Sequence, residues 1–379
     1  MIDEIRKLRK ELHQNPEVSG AEFLTANRIR SFIQKHHPTA LIENLGGTGL
    51  AAVYEFGNGG TSVTIRCELD ALPIHENNTF DHQSKIPGVS HKCGHDGHMA
   101  MVAGLIFWIK KQNFTSGKII LLFQPAEETG KGANAVLQDK RFLAVRTDYM
   151  FALHNIPKEP LHQIIIAEQG FSAEVQSCIL TLNGKECHAS EPENGHNPAL
   201  AISEIIATLS GFNVTDPKDE QFSMLTPIHI KMGQPSYGIS PATAELHYTL
   251  RTWSTENMSV LKTKMETAIE RSCTSQQLTY KLKWLEYFPA SSNHPESNRY
   301  VLQAAEENGF PITQRSYPFK FGEDFGWFTK DYKTTMFGLG AGSDTPALHH
   351  SDYDFPDEII ESGMAMFQTL ISILLSENK

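Results

Sequence analysis

Residues 118–128 read KIILLFQPAEE, a short apolar run that is followed by a proline and two carboxylates. A run of this length is typical of a strand that is buried on both faces of a sheet. Residues 49–56, 61–69 and 149–154 (YMFALH) have the same character, and residues 94–111 predict a long buried helix. Strands that alternate with helices predict an α/β fold with a mixed, largely parallel sheet covered by helices.

Polar side chains stand at the ends of these predicted strands. They are Glu68 and Asp70 after one strand, Glu127 and Glu128 after the next, and His154 at the end of a third. In sheets of this kind, ligands bind beyond the carboxyl ends of the strands. We therefore expect these side chains to converge in one place.

The pattern changes at about residue 173. Predicted strands at 174–182, 223–232, 243–253 and 278–285 alternate with predicted helices at 197–209 and 255–272, in the order β-α-β-β-α-β. That order is typical of a ferredoxin-like α+β unit. The helix-and-strand pattern then resumes and ends in an amphipathic helix at 356–375. The sequence therefore predicts a discontinuous larger domain, 1–172 and 287–379, interrupted by an inserted smaller domain, 173–286.

Composition excludes several classes of partner. The chain has 379 residues and a net charge of −11. An acidic surface repels phosphate backbones and anionic lipids, so we expect no nucleic-acid partner and no membrane partner. The five cysteines are widely spaced, and the charged start lacks the apolar segment of a secretory signal, so we expect a reduced, cytoplasmic protein.

The densest chemical signal is residues 93–98, CGHDGH. Thiolate and imidazole are preferred ligands of divalent transition metals, and glycine lets the backbone turn closely around an ion. A lone Cys-x-His is more often a loop with a buried cysteine and a surface histidine. Two histidines, an aspartate and a cysteine within six residues favour a metal site.

Three further signals are ambiguous when each is taken alone. Glu127 and Glu128 could bind a metal and act as a general base, or they could form a solvated pair at the start of a helix. His154 could equally be a satisfied core residue, and residues 348–353 (LHHSDY) could be a surface loop. Together with CGHDGH, however, they supply enough donors for two metal ions.

At this point the chain resembles a known family, the aminoacylase and carboxypeptidase superfamily of two-metal peptidases. The likeness is greatest to its amidohydrolase branch, which includes hippurate hydrolases, N-acetyl-diaminopimelate deacetylases and auxin-conjugate hydrolases. The resemblance covers nearly the whole chain. The motifs that carry it are residues 9–17 (RKELHQNPE), 66–74 (RCELDALPI), 93–98 (CGHDGH), 124–128 (QPAEE), 184–189 (GKECHA), 322–325 (GEDF) and 348–349 (LH).

The resemblance implies two divalent ions per chain, drawn from Mn, Zn, Co or Ni, and a general base at Glu127. The metal ligands that it implies are Cys93, His95, Glu128, His154 and His349. His349 is preferred over His350 because the family's ligand precedes an aromatic residue by four positions, as His349 precedes Tyr353.

The resemblance also assigns residues outside the ligand set. Asp70 matches an acidic residue beside the metal site, where its carboxylate would fix a ligand histidine. His188 matches a catalytic lid histidine that reaches a neighbouring subunit's active site, and Arg251 matches a substrate-binding lid arginine. Without the resemblance, His188 would be an exposed lid residue and Arg251 a solvated charge. The resemblance identifies the inserted domain, residues 173–286, as a lid domain and implies a homodimer or higher homo-oligomer formed through it.

The implied activity is metal-dependent hydrolysis of the amide bond of N-acyl amino acids, which releases a free amino acid and a carboxylic acid. Alternatives are a dipeptidase of the same superfamily, a non-catalytic metal- or ligand-binding homologue, and an α/β protein with structural Cys and His. One residue and two segments depart from the family pattern. They are Glu68, where Asp is usual, and the lid segments 192–198 (PENGHNP) and 237–241 (YGISP). The lid departures bear on substrate choice, because such segments touch substrate in the family.

Overall fold

The computed structural model describes residues 1–376 of the chain. Its contacts divide the chain into two compact units. The larger unit contains Met1–Phe171, Ser291–Ser316 and the chain from Glu323 onward, and the smaller one contains Ser172–Ala290 and Tyr317–Gly322. The smaller unit thus includes a short return segment that the sequence analysis had placed in the larger domain.

The return segment Tyr317–Gly322 joins the smaller unit through backbone hydrogen bonds. The Ala173 N–H donates to the carbonyl oxygens of Phe319 and Phe321, at 2.9 and 3.2 Å. Sequence reasoning missed this segment because six residues without a regular period give no signal of their partner.

The helices are α1 (Ile2–His13), α2 (Phe23–Gln34), α3 (His95–Ile109), α4 (Gly132–Leu137), α5 (Lys140–Val145), α6 (Ala199–Ser210), α7 (Thr255–Ser275), α8 (Pro295–Glu307) and α9 (Ile360–Ser376). The strands are β1 (Ala40–Leu45), β2 (Gly49–Phe56), β3 (Ser62–Glu68), β4 (Gly117–Gln124), β5 (Tyr149–Ile156), β6 (Ile164–Ala167), β7 (Glu174–Asn183), β8 (Cys187–His188), β9 (Ser223–Met232), β10 (Ile239–Ser240), β11 (Thr243–Thr252), β12 (Thr279–Phe288), β13 (Ile312–Arg315) and β14 (Lys333–Gly340).

The larger unit is built on an eight-stranded sheet in the order β1-β2-β4-β3-β5-β14-β6-β13. Within residues 1–376, four of its seven strand pairings are parallel: β3 with β4, β3 with β5, β5 with β14, and β6 with β13. The predicted fold class, a helix-covered mixed and largely parallel sheet with an inserted α+β domain, is confirmed. Strands β1, β6, β13 and β14 had not been predicted.

The central strand β4 shows why its sequence is continuously apolar. Ile119, Leu121 and Phe123 face the core that also contains α1, α3 and α9. Ile120 and Leu122, which alternate with them, are equally buried but lie outside that cluster. Both faces of the strand are therefore covered, and the strand carries the end of the KIILLFQ run directly into the carboxylates that follow it.

The C-terminal helix completes the same core. The stretch Asp357–Ser376 is long and apolar enough to cross a membrane by length and composition, but 61% of its most apolar window is buried inside the protein. It starts as a 3-10 turn at Asp357–Ile359, and α9 then packs against α3 and α8. This packing accounts for its apolar character.

The smaller unit contains a four-stranded antiparallel sheet in the order β12-β7-β11-β9. With α6 and α7 the chain order is β-α-β-β-α-β, as predicted for a ferredoxin-like unit. Strands β8 and β10 form a separate two-residue ribbon in which His188 lies opposite Ile239. The unit has its own apolar core, which includes Leu180, Leu246 and Ile269.

Candidate metal centre and catalytic site

The CGHDGH motif enters α3 through a turn that only glycine can make. Gly94 has φ +94°, and a Cβ at this position would lie 2.6 Å from the side-chain oxygen of Asn155. The turn places Cys93 before the helix and His95 at its first position. Both side chains are buried. The glycine therefore brings a thiol and an imidazole to the same edge of the sheet.

Cys93 lies against the histidine at the end of β5. Its Sγ is 3.5 Å from Nε2 of His154, while Nδ1 of His154 donates to the carbonyl oxygen of Asn155 at 2.9 Å. Possible ligand atoms of Cys93, His95 and His154 all lie within 4.8 Å of one another. These three residues form one group of converging donors.

Cys93 also belongs to a second group, with Glu128 and His349. The His349 Nε2 atom is 3.8 Å from a carboxylate oxygen of Glu128. The His349 N–H donates to the carbonyl oxygen of Lys92 at 2.8 Å, so the C-terminal loop is tied to the residue before Cys93. The structure thus brings all five predicted ligands together in two groups that share Cys93.

The donors fit divalent transition metals. The Nε2 of His95 lies 3.9 Å from the nearest oxygens of both Glu127 and Glu128. Among residues 1–376, neither this buried nitrogen nor Oε1 of Glu128 makes a hydrogen bond. Buried polar atoms are normally paired, and thiolate, imidazole and carboxylate are the ligand types that such metals prefer. Metal ions would pair both atoms.

The crowding of carboxylates in the site also favours bound cations. Burial and the charges of Glu323 and Glu128 raise the pKa of Glu127 well above its usual range. Burial likewise raises the pKa of Glu128 to about 7. Burial alone would lower the pKa of His95, but its contact with Asp70 and the nearby carboxylates raise it to about 10. Crowded carboxylates of this kind are stabilised by added positive charge.

Asp70 supports the site differently from the prediction. Its main-chain carbonyl, rather than its carboxylate, accepts from Nδ1 of His95 at 2.9 Å, and the nearest carboxylate oxygen is 3.6 Å away. The carboxylate instead accepts from the Glu128 N–H at 2.9 Å and from Oγ of Ser19 at 2.6 Å. Burial by itself would raise the pKa of Asp70, but the contacts with His95, Ser19 and the Glu128 N–H together outweigh burial, so the pKa is lowered.

Glu127 lies beside the donor groups without belonging to either of the two that contain Cys93. The residue is 4% exposed. One carboxylate oxygen is 3.4 Å from the Asp324 N–H, and the other is the one that lies 3.9 Å from Nε2 of His95. The carboxylate is thus oriented by a backbone donor and reaches the space that the ligands surround.

A buried network behind the site was not found from the sequence. The guanidinium of Arg66 donates to Glu68 and Gln124 and, at 2.8–2.9 Å, to Glu323 and Asp324. Three carboxylates therefore share one buried cation. Arg66 and Glu68 lie in the motif RCELDALPI, and Glu323 and Asp324 lie in GEDF, but the spacing of the two motifs in the sequence does not reveal that they meet.

The second histidine and the aspartate of CGHDGH also support the site without joining the ligand set. His98 donates from Nδ1 to Glu68 at 2.7 Å. Asp96 lies 2.8 Å from Nδ1 of His13, which is in the RKELHQNPE motif of α1. The motif therefore combines two predicted ligands with two residues that anchor α3 to its neighbours.

His188 and Arg251 lie in the smaller unit. His188 is exposed, and its Nδ1 accepts from the Ser190 N–H at 3.2 Å. Arg251 is half-buried and donates to the carbonyl oxygen of Lys320 at 2.6 Å. These contacts are internal to that unit, and the catalytic and substrate-binding roles of the two residues stay predictions.

A cluster of thiol, imidazole and carboxylate donors at the carboxyl end of a buried sheet, with a further carboxylate beside it, defines a metal-dependent hydrolase. Residues 64–373 match the family described as Peptidase family M20/M25/M40. The chain belongs to this family, and the recognition made from its motifs is confirmed.

The similar proteins span nearly the whole chain. A hippurate hydrolase of Campylobacter jejuni is 28% identical over 371 residues, which cover 97% of this chain and 95% of that one. An N-acetyl-L-cysteine deacetylase of Bacillus subtilis is 29% identical over 378 residues, covering 98% and 88%. A crystal structure of a dinuclear metal binding peptidase from the M20 family, also of Bacillus subtilis, has a TM-score of 0.84 at 24% identity, covering 99% and 98%. The relatives support the amidohydrolase branch, and the solved structure supports the fold.

Proposed function

We propose that this chain hydrolyses the amide bond of N-acyl amino acids with two divalent ions. The residues that would hold the ions are Cys93, His95, Glu128, His154 and His349. The observation that carries the proposal is that Cys93 belongs to two converging donor groups, each with a different set of partners. The activities in the names of the hippurate hydrolase and the N-acetyl-L-cysteine deacetylase are of the same type.

The reaction requires a proton to leave the attacking water and a proton to reach the departing amine, and one group can carry the same proton between them. When bound, the ions supply positive charge that polarises the amide carbonyl and lowers the pKa of water. Glu127 takes the proton from the water and returns it to the amine nitrogen. Its position suits this role, because one oxygen is held by the Asp324 N–H while the other lies towards His95.

The lid residues complete the proposal. His188 would stabilise the negative charge that develops on the carbonyl oxygen, a contribution typically of about 3–4 kcal/mol to the barrier. Arg251 would bind the carboxylate of the amino acid, for which a planar guanidinium is well suited. Both roles come from the family resemblance.

A second copy of the chain is the proposed partner. Strand β9 is one of the two outer strands of its sheet, and Ile228, Ile230 and Met232 on it are exposed. An edge strand with unpaired backbone groups and apolar side chains is a template for pairing with another chain. Light scattering of the purified protein should give a dimer, and Ile230→Lys should shift it towards monomer. A wild-type monomer would contradict the assembly.

The cytoplasmic location stays a prediction. It is consistent with the five cysteines, all of which are free in the described part of the chain.

A substrate panel tests the function. N-acetyl and N-benzoyl amino acids should be hydrolysed by protein loaded with Mn, Zn, Co or Ni, and more efficiently than dipeptides. Faster turnover of dipeptides would favour the dipeptidase alternative. The non-catalytic alternative is disfavoured because Glu127 and all five ligand positions keep the residue types that the chemistry needs. Metal-loaded protein that hydrolyses none of these amides would contradict the proposal.

A further inference from the structure

Two consecutive carboxylates approach the same atom in this site. Oxygens of Glu127 and Glu128 both lie 3.9 Å from Nε2 of His95. Neighbouring side chains in a strand point to opposite faces, so this convergence needs an unusual backbone. The preceding residue, Ala126, supplies it with a left-handed conformation, φ 50° and ψ 40°, followed directly by the 3-10 turn Glu127–Thr129.

The left-handed conformation is disfavoured for alanine, because its Cβ comes too close to the following carbonyl oxygen. A residue held in such a conformation requires support from its surroundings. The turn itself provides part of that support, since the carbonyl oxygen of Ala126 accepts from the Gly132 N–H at 3.1 Å. The N–H of Ala126 points away from the turn and needs a partner elsewhere.

That partner is Glu22, which lies more than a hundred residues earlier and is fully buried. Its Oε1 accepts from the Ala126 N–H at 2.8 Å and from the Gly20 N–H at 2.7 Å. Its Oε2 accepts from Oγ1 of Thr48 at 2.7 Å. Both oxygens are therefore occupied, and the carboxylate is fixed on three sides.

The same N-terminal segment supports the other end of the turn. Ser19 donates to the Asp70 carboxylate, and that carboxylate accepts from the Glu128 N–H. The backbone on either side of Glu127 is thus held by two carboxylates, Glu22 before it and Asp70 after it.

We propose that Glu22 is a positioning residue that holds Ala126 in its left-handed conformation and so directs Glu127 and Glu128 towards the metal centre. The inference rests on the proposed two-metal function. Glu22 is buried below the turn and acts through the backbone of Ala126, so it is not itself expected to touch substrate or metal.

The chain offers a matched control in Glu17. Its carboxylate also accepts from one backbone N–H and one hydroxyl, at 2.7 and 2.9 Å, but both belong to Thr25 in α2. Removing the Glu17 carboxylate costs two hydrogen bonds and removing the Glu22 carboxylate costs three, but of the two residues only Glu22 contacts the QPAEE turn. A purely structural role predicts the same outcome for both residues.

The test is a titration of metal-free protein with Co²⁺, followed by its visible absorbance, which reports the ligands around the ion. Methionine fills the space of a glutamate without accepting these hydrogen bonds. We expect Glu22→Met to bind Co²⁺ at least about tenfold more weakly and with altered bands, as is common when a residue supporting a ligand is lost. Glu17→Met should keep the wild-type affinity and spectrum, even where its resistance to urea falls.

Glu22→Gln should restore binding, since its amide oxygen can accept from both N–H groups and its NH₂ can donate to Thr48. Wild-type affinity and bands in Glu22→Met, or equal losses in the Glu17 and Glu22 variants, would overturn the inference. If Glu22→Met does not fold, Thr48→Val decides, because it removes a hydrogen bond that orients the carboxylate; unchanged Co²⁺ binding would again count against the role.

The Co²⁺ titration distinguishes failure of the metal centre from failure of the role of Glu22. Wild-type protein that takes up no Co²⁺ would contradict the metal centre itself. Wild-type protein that takes up two ions while Glu22→Met takes them equally well would leave the metal centre standing and remove only the role of Glu22.

Discussion

The metal centre and the lid segments differ in how their side chains are held. Glu127 is 4% exposed and is oriented by a backbone donor, whereas Tyr237 in the lid is 98% exposed. The buried ligand motifs CGHDGH and QPAEE keep the family's residue types, and Glu68 is the one buried departure noted. The largely exposed segments 192–198 and 237–241 both depart from the pattern. From this difference we predict that a buried network fixes the chemistry, and that the exposed segments set substrate choice and can change without affecting the chemistry.

The largest effect is expected at Glu127. Glu127→Gln keeps the size of the side chain but removes the proton acceptor, so turnover should fall by about 10²–10⁴-fold. Metal content should stay at the wild-type level, because Glu127 is not among the predicted ligands. Steady-state kinetics and metal analysis of the same sample check both. Glu128→Gln is the control, since it should lose metal as well as turnover, and an active Glu127→Gln would exclude Glu127 as the base.

The next effect concerns the buried network. Arg66→Met leaves Glu68, Glu323 and Asp324 without their shared cation. Breaking a buried ion pair by removing one partner typically costs about 3–5 kcal/mol in the free energy of unfolding. Urea unfolding of metal-free protein measures it.

An exposed ion pair provides the control for Arg66. Arg30 and Glu43 lie 3.4 Å apart with both side chains partly exposed. Pairs of this kind contribute about 0–1 kcal/mol, so Arg30→Met should cost little. Similar losses of unfolding free energy in Arg66→Met and Arg30→Met would show that the buried network stabilises the protein no more than an exposed ion pair does.

A smaller effect should appear as a dependence on pH. Burial would raise the pKa of Glu76, but hydrogen bonds from His13, Lys92 and the Ser84 N–H lower it to about 2 from its ordinary 4.5. The folded protein therefore holds the charged form more strongly than the unfolded chain. The stability that Glu76 contributes is fully present above pH 4.5 and is lost as the pH falls towards 2.

Glu76→Gln isolates this contribution. The difference in unfolding free energy between wild type and Glu76→Gln should shrink by about 2–3 kcal/mol between pH 5 and pH 2. Denaturant unfolding at a series of pH values measures it. A difference that does not vary with pH would contradict the assignment.

The smallest effect on stability is expected in the lid. Glu193→Ala and Tyr237→Ala remove exposed side chains, so the free energy of unfolding should change by less than about 0.5 kcal/mol. Metal content should not change, but the ratio of kcat/KM between two N-acyl amino acids should. If both variants keep the selectivity of the wild type, the claim that the lid segments set substrate choice is contradicted.

Much of the fold could be predicted because several of its strands are continuous apolar runs in the sequence. KIILLFQ and YMFALH became β4 and β5, and the β-α-β-β-α-β order of the lid was readable from its alternation. The missed strands give weaker signals. β6 and β13 have four residues each, too few to show a period, and β14 contains two glycines and two threonines within eight residues.

The candidate site could also be predicted only in part. Its ligands could be proposed because CGHDGH and QPAEE concentrate metal-binding residue types within a few positions. The contacts that hold them could not, because they join residues far apart in the chain. Glu22 supports Ala126, Arg66 pairs with Asp324, and Asp70 uses a carbonyl that has no side-chain signature.

The metal centre can be tested most directly by locating the ions. Anomalous diffraction from crystals of the Zn²⁺-loaded protein should show two peaks per chain, both bound by residues drawn from Cys93, His95, Glu128, His154 and His349, with Glu127 next to them and not bound. A single ion, or ions bound away from Cys93, would contradict the account.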